Sequence, residues 1–166
     1  MRKTILLLGV LTCLFCGCTA LMPTTVNLNS PINDYQYVYI TPTSEKNSVT
    51  GATLGGSYGV YGATTTHTAN PMDIISGHFI KKGYIRVPEV KPENADKTII
   101  VNYGEVKGGY MIDLSRGITI VIQMISASNN DLLCVCNAEG KGGTDAEAVT
   151  DAIDRCMDEF FRQINQ

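Results

Sequence analysis

Between Tyr35 and Ile40 the chain alternates, with Tyr35, Tyr37 and Tyr39 on one side and Val38 and Ile40 on the other. A period of two predicts a strand, and Pro42 ends it. The next pattern has a period near 3.6. Met72, Ile75 and Phe79 repeat at helical spacing behind Asn70-Pro71, an N-cap followed by a proline suited to the first turn. Gly83 supplies the left-handed stop. Tyr84 to Val87 then reads as a short strand, 88–95 as a turn-rich link, and Thr98 to Tyr103 as a second strong strand. A glycine-rich connection, 107–117, leads to an expected hairpin of Ile118–Ile125 and Leu132–Ala138 around 126–131.

The last segment is the best signalled. Thr144-Asp-Ala-Glu147 is a capping box. Behind it Val149, Ile153, Cys156, Met157, Phe160 and Ile164 form one apolar stripe, with Asp151, Asp154, Asp158 and Glu159 mostly off it. The order strand, helix, four strands, helix predicts an α+β domain. Its sheet is expected to be mostly antiparallel with four to five strands, and two helices pack on one face. That domain is placed at 34–166. Within it, residues 43–69 are rich in Ser, Thr and Gly, a length unusual for a connection in a compact domain. The segment is either a mobile loop or an edge hairpin through Tyr58-Gly-Val-Tyr61.

The N-terminus has a different character. Arg2 and Lys3 precede an apolar run from Ile5 to Cys16, about half the ~20 residues needed to cross a bilayer. A basic start, a short apolar run and small residues at its end form an export signal, assigned to residues 1–17. Leu14-Phe15-Cys16-Gly17-Cys18 resembles the bacterial lipobox, in which a small residue precedes the cysteine that receives diacylglycerol. Gly17 is that small residue, and Cys18 the expected lipidation site. The thioether needs a sulfur, and cleavage between Gly17 and Cys18 frees an amine for a further acyl chain. One chain anchors only marginally, at ~0.8 kcal/mol per buried methylene; two or three make attachment effectively permanent. Thr19, where an Asp would favour retention in the inner membrane of Gram-negative cells, points to the outer membrane. The periplasmic face is expected, because no acidic cluster follows Cys18. Residues 18–33, uncharged and with two prolines after Cys18, read as a lipidated tether reaching roughly 20 Å.

Charge narrows the partners. The chain has 13 basic and 16 acidic side chains, net −3, and loss of Arg2 and Lys3 with the signal makes the remainder more acidic. No segment concentrates Lys and Arg, which argues against nucleic acid. The expected partners are membrane lipid, through the anchor, and an envelope protein complex.

No catalytic or metal-binding constellation is apparent. His67 lies in a run of threonines and His78 on the first helix, and two separated histidines do not make a metal site. Ser76 and Ser115 lack a nucleophile-elbow context. The glycines at 51–62 are not followed by Lys and Ser or Thr, so a phosphate loop fails. Gly142-Gly-Thr-Asp145 is explained by the cap. Cys134 and Cys136 share one face of a strand, and Cys156 lies on the apolar stripe. A disulfide of Cys156 with Cys134 or Cys136 suits an oxidising periplasm. Three small buried residues that let the helix approach the sheet are the alternative. Tyr35, Tyr37 and Tyr39 are a candidate partner surface, since aromatics are enriched in interfaces. Packing under the glycine-rich segment would use them equally well.

A tyrosine-rich first strand ending near Pro42, a helix ending in Lys-Lys-Gly-Tyr at 81–84, and Asp96-Lys-Thr-Ile-Ile-Val-Asn-Tyr103 follow the lipobox. With the glycine-rich hairpin and the C-terminal helix, this order resembles the small envelope lipoproteins of the DUF4136 type, over roughly 34–164. The resemblance implies a fold and an envelope location, and no catalytic residues. The expected function is a non-enzymatic accessory or binding module without a cofactor other than its own acyl chains on Cys18; a structural or surface-exposed envelope component is the alternative, and an enzyme the last.

Overall fold

Among the described residues ten strands and two α-helices follow one another, and their ranges show where period-two and period-3.6 patterns hold. A computed structural model describes residues 21–50, 54–56, 59–61, 65–107 and 116–166. In chain order the elements begin with β1 (Thr25–Leu28), β2 (Tyr37–Ile40), β3 (Lys46–Thr50), β4 (Leu54–Gly56), β5 (Gly59–Tyr61) and β6 (Thr65–Ala69). Helix α1 (Pro71–Lys81), β7 (Ile85–Arg86) and a 3-10 turn (Pro92–Lys97) come next. Then come β8 (Thr98–Lys107), β9 (Arg116–Ser126), β10 (Leu132–Gly142) and α2 (Asp145–Ile164).

The domain is α+β, as the pattern predicted, but its main sheet is mixed and has six strands in the order β1-β10-β9-β8-β2-β7. Strand β2 is parallel to both its neighbours, β8 and β7, while β8, β9, β10 and β1 form an antiparallel meander. The parallel pairs require crossovers. Helix α1 makes the one from β2 to β7. Local patterning shows that a strand exists and not which neighbour it takes, so the expectation of a mostly antiparallel sheet and a simple β-α-β-β-β-β-α order is corrected here.

Two further expectations are revised. The described part of the segment 18–33 is not a free tether: Thr25–Leu28 pairs with Asn137–Cys134 as the edge strand β1, and Ile32 is buried in the core. The alternation is hidden because the edge strand has only four residues, of which Val26 alone turns to the core while the others meet solvent. Within 43–69 the described residues pair β3 with β6 and β4 with β5, so the loop alternative gives way to strand pairing that includes Gly59–Tyr61. The β3–β6 hairpin lies on the helix side of the sheet. Lys46 pairs with Glu105 of β8 at 2.9 Å, and Ser48 Oγ accepts from the Ala146 N–H at 3.3 Å.

Both helices start as their sequences dictate. The Asn70 side chain accepts from the Met72 N–H, and the Thr144 hydroxyl from the Glu147 N–H, at 3.1 Å in each case. Gly83, at φ +89°, follows the end of α1. The stripe on α2 is wider than the sequence alone indicated, because Ala148, Ala152 and Phe161 are buried with it. It faces Ile118, Ile120, Ile122, Met124, Cys136 and Ala138 of the sheet. Phe79, Tyr84, Phe160 and Phe161 cluster where α1 meets α2, with ring centroids 4.8–6.3 Å apart. Edge-to-face pairs of this kind add about 0.5–1.5 kcal/mol beyond area burial.

Helix α2 lies so close to β10 that a Cβ on Gly140 would run into the Ala148 carbonyl oxygen and the Ala152 amide. Gly104, on β8, has nothing nearer than the Val121 carbonyl at 4.0 Å. Gly140→Ala should therefore destabilise by at least about 1–3 kcal/mol through overpacking. Gly104→Ala should stay within about 0.5 kcal/mol of the parent. Denaturant midpoints of the chain from residue 19 onward test this, and equal midpoints would mean that α2 does not sit on Gly140.

Candidate functional site

The helices and the β3–β6 hairpin cover one face of the six-stranded sheet. The alternation of burial along β8, β9 and β10 sends the other residues to the opposite face, which no helix among the described residues covers. Strand register orders that open face into rows. Tyr39, Ile100, Ile125 and Leu132 form one row. Asn102, Gln123, Val135 and Asn27 form the next. Gly104, Val121, Asn137 and Thr25 form a third. Tyr37 and Ile85 stand side by side next to the first row. Within these rows no position holds a formal charge. The face grades from aromatic and aliphatic side chains at one end to amides in the middle. A shallow depression of about 230 Å³ lies where Gly104 lacks a side chain, between Asn102, Val121 and Gln123.

The three tyrosines of the first strand are therefore divided. Tyr37 and Tyr39 belong to the open face. Tyr35 precedes β2, donates its N–H to the Ile32 carbonyl at 3.1 Å and packs against the hydrophobic core. The expectation that all three share one surface is corrected by the strand starting only at Tyr37. Tyr103, on the helix side, donates its hydroxyl to Glu105 at 2.9 Å. Burial, and then the Glu105 carboxylate, push its phenol well above the ordinary range.

The histidines are not isolated. His78 of α1 bonds Asp154 of α2 through Nε2 at 2.8 Å and faces Asp158 through Nδ1 at 3.8 Å. His67 of β6 lies 3.6 Å from Glu147 at the start of α2. Both thus tie a separate element to the same helix, a role that spacing in sequence could not reveal. Between them runs an open groove of about 490 Å³ bordered by Thr66, Thr68, Thr150 and Asp151. Among the described residues no three His, Cys, Asp or Glu side chains group as metal ligands.

Cys136 is joined to Cys156 with Cα atoms 6.0 Å apart, linking β10 to α2, and Cys134 is a free buried thiol. Of the two pairings open to Cys156, this one follows from position. Cys136 stands directly under the helix, whereas Cys134 lies a residue pair further along β10. Burial pushes the Cys134 thiol up to about 11.

The N-terminal segment is held by a clamp that sequence reasoning missed. The Met22 N–H donates to Glu139 Oε2 at 2.8 Å, and Arg155 of α2 donates to the Met22 carbonyl at 2.9 Å and to the Glu139 carbonyl. Arg155 has no sequence signal for this, because its partners are a backbone group over a hundred positions away and another on β10. Cys18 and Gly17, the expected lipidation and cleavage positions, lie outside the described residues.

No protein-family model matches the chain, and no curated protein does. Solved structures similar to it include two PelC dodecamers from Paraburkholderia phytofirmans. One, a PelC variant, has a TM-score of 0.49 at 9% identity, over 86% of this chain and 98% of that one. The other has a TM-score of 0.45 at 8% identity, over 85% and 96%.

A thiol with a raised pKa is neutral, and only the thiolate reacts quickly. In the chain from residue 19 onward, a thiol reagent at pH 8 should find no fast-reacting cysteine. Unfolding without reductant should release one, Cys134, and reduction with unfolding should release three, with Cys136 and Cys156. Three thiols without reductant would remove the disulfide from the fold.

Proposed function

We propose that this chain is a lipid-anchored module of the bacterial envelope. It is attached through acyl chains on Cys18, stands at the outer membrane on the periplasmic side, and contacts a protein partner through the open face of its sheet. It performs no chemistry of its own on this reading. The observation that carries it is the face from Tyr37 and Tyr39 to Asn137. Interface cores are depleted in charge and enriched in aromatics, and this surface combines both features. The amides of Asn102, Gln123 and Asn137 supply hydrogen bonds for orientation, at the one per 100–200 Å² or so that such interfaces carry. Support for the anchor comes from the lipobox-like Leu14–Cys18, support for the outer membrane from Thr19, support for the periplasmic side from the lack of an acidic cluster after Cys18, and support for export from a disulfide suited to an oxidising compartment.

Two measurements test the parts separately. Cys18→Ala should abolish incorporation of labelled fatty acid into the chain and leave an uncleaved precursor; undiminished label would sink the anchor. A photoreactive side chain at Gln123, exposed in the middle of the open face, should cross-link to one discrete envelope protein. The same group at Asp158, exposed on the helix side, should give no such adduct. Identical adducts from both positions would reject the open face as the contact surface.

A further inference from the structure

We infer that the end of the sheet around Met22 and Val106 rests on the surface of the bilayer that holds the acyl chains, so that the domain stands on the membrane with its strands directed away from it. The inference deepens the anchor reading and rests on lipidation at Cys18. What the structure adds is the length of the link. Met22 is already fixed by Glu139 and Arg155, so only three residues of chain, four Cα–Cα steps, separate it from Cys18. Fully extended, those four steps span at most about 14 Å. Bilayer dimensions leave roughly 5–8 Å of headgroup region on each side of the hydrocarbon core, and part of the link is used within it. Met22 then stands within roughly 10 Å of the headgroups whatever conformation the link takes. Nothing comparable would hold for a tether running to residue 33.

A second observation agrees. Val106 and Met22 are 60% and 57% exposed, comparable to Ile80 and Ile85 on α1 and β7 at 55% each. The register places them at the same end: Val106 pairs with Thr119, Thr119 with Glu139, and Glu139 holds Met22. Two strand spacings separate Val106 from Glu139, about 10 Å. The turn between β9 and β10, with Ser128, lies at the opposite end. From Glu139 to Leu132 alone the strand covers roughly 23 Å. An exposed apolar residue at the end nearest the anchor meets the headgroup layer, while the far turn stays in water.

The chain has no tryptophan, so one introduced residue reports alone. The test uses full-length lipidated Val106→Trp and Ser128→Trp proteins. Each is reconstituted in phosphatidylethanolamine–phosphatidylglycerol vesicles with or without a nitroxide on the lipid headgroup. Circular dichroism of each variant checks that α1 and α2 are folded. Quenching should be several-fold stronger at position 106 than at position 128. A long Gly/Ser insertion between Cys18 and Met22 should remove the difference. Flotation of the vesicles separates the two ways of failing. Protein that floats but is quenched equally at both positions overturns the orientation alone. Protein that does not float overturns the anchor, and the orientation with it.

Discussion

The contact of α2 with β10 is the interaction on which the other layers depend. It is closer than side chains of ordinary size allow. Gly140 on the strand and Ala148 and Ala152 on the helix let the backbones approach, and the longer residues to either side then reach across the sheet. Phe160 and Phe161 meet Phe79 of α1, and Ile153 and Met157 are buried in the same core. Dispersion between individual atoms is worth only about 0.1–0.2 kcal/mol, so what such a contact contributes depends on the number of atoms brought into range. The Cys136–Cys156 bond joins the same two elements covalently, four residues along β10 from Gly140.

Much that lies outside the core is fastened to the same helix. His78 brings α1 to Asp154, His67 brings the β3–β6 hairpin to Glu147, and Arg155 brings the N-terminal segment to Met22. Single polar contacts of this kind contribute little, a hydrogen bond typically about 0.5–1.5 kcal/mol net. Their effect is on position: each fixes how one peripheral element is placed against a helix that the core has already placed. The opposite face of the sheet has no comparable layer among the described residues, and its rows are fixed by backbone pairing alone.

The elements whose own residues dictate them were legible in the sequence. Thr144 and the stripe from Val149 to Ile164 marked α2, Asn70 and Gly83 bounded α1, and the apolar runs at 98–103, 118–125 and 132–138 marked the central strands. What was not legible depends on partners distant in sequence. The parallel neighbours of β2, the pairing of β1 with β10, and the capture of Met22 by Arg155 leave no periodic trace. The tyrosines were half legible for a related reason. Alternation placed Tyr37 and Tyr39 together, but it could not show that the strand begins after Tyr35. The choice of Cys136 over Cys134 required the position of the helix along the strand, which spacing alone does not contain.

The edge strand has a mechanical meaning. With the chain anchored as proposed, a force between the membrane and anything bound to the domain enters through residue 22 and runs along the axis of β1. The ladder from Thr25–Asn137 to Leu28–Cys134 is then loaded in shear, so its hydrogen bonds bear the force together instead of opening one after another. The Arg155 contacts to Met22 and Glu139 lie ahead of that ladder and take the load first. A domain tethered through a long free coil would transmit no such force until the coil was straight; here the load path is short from the outset.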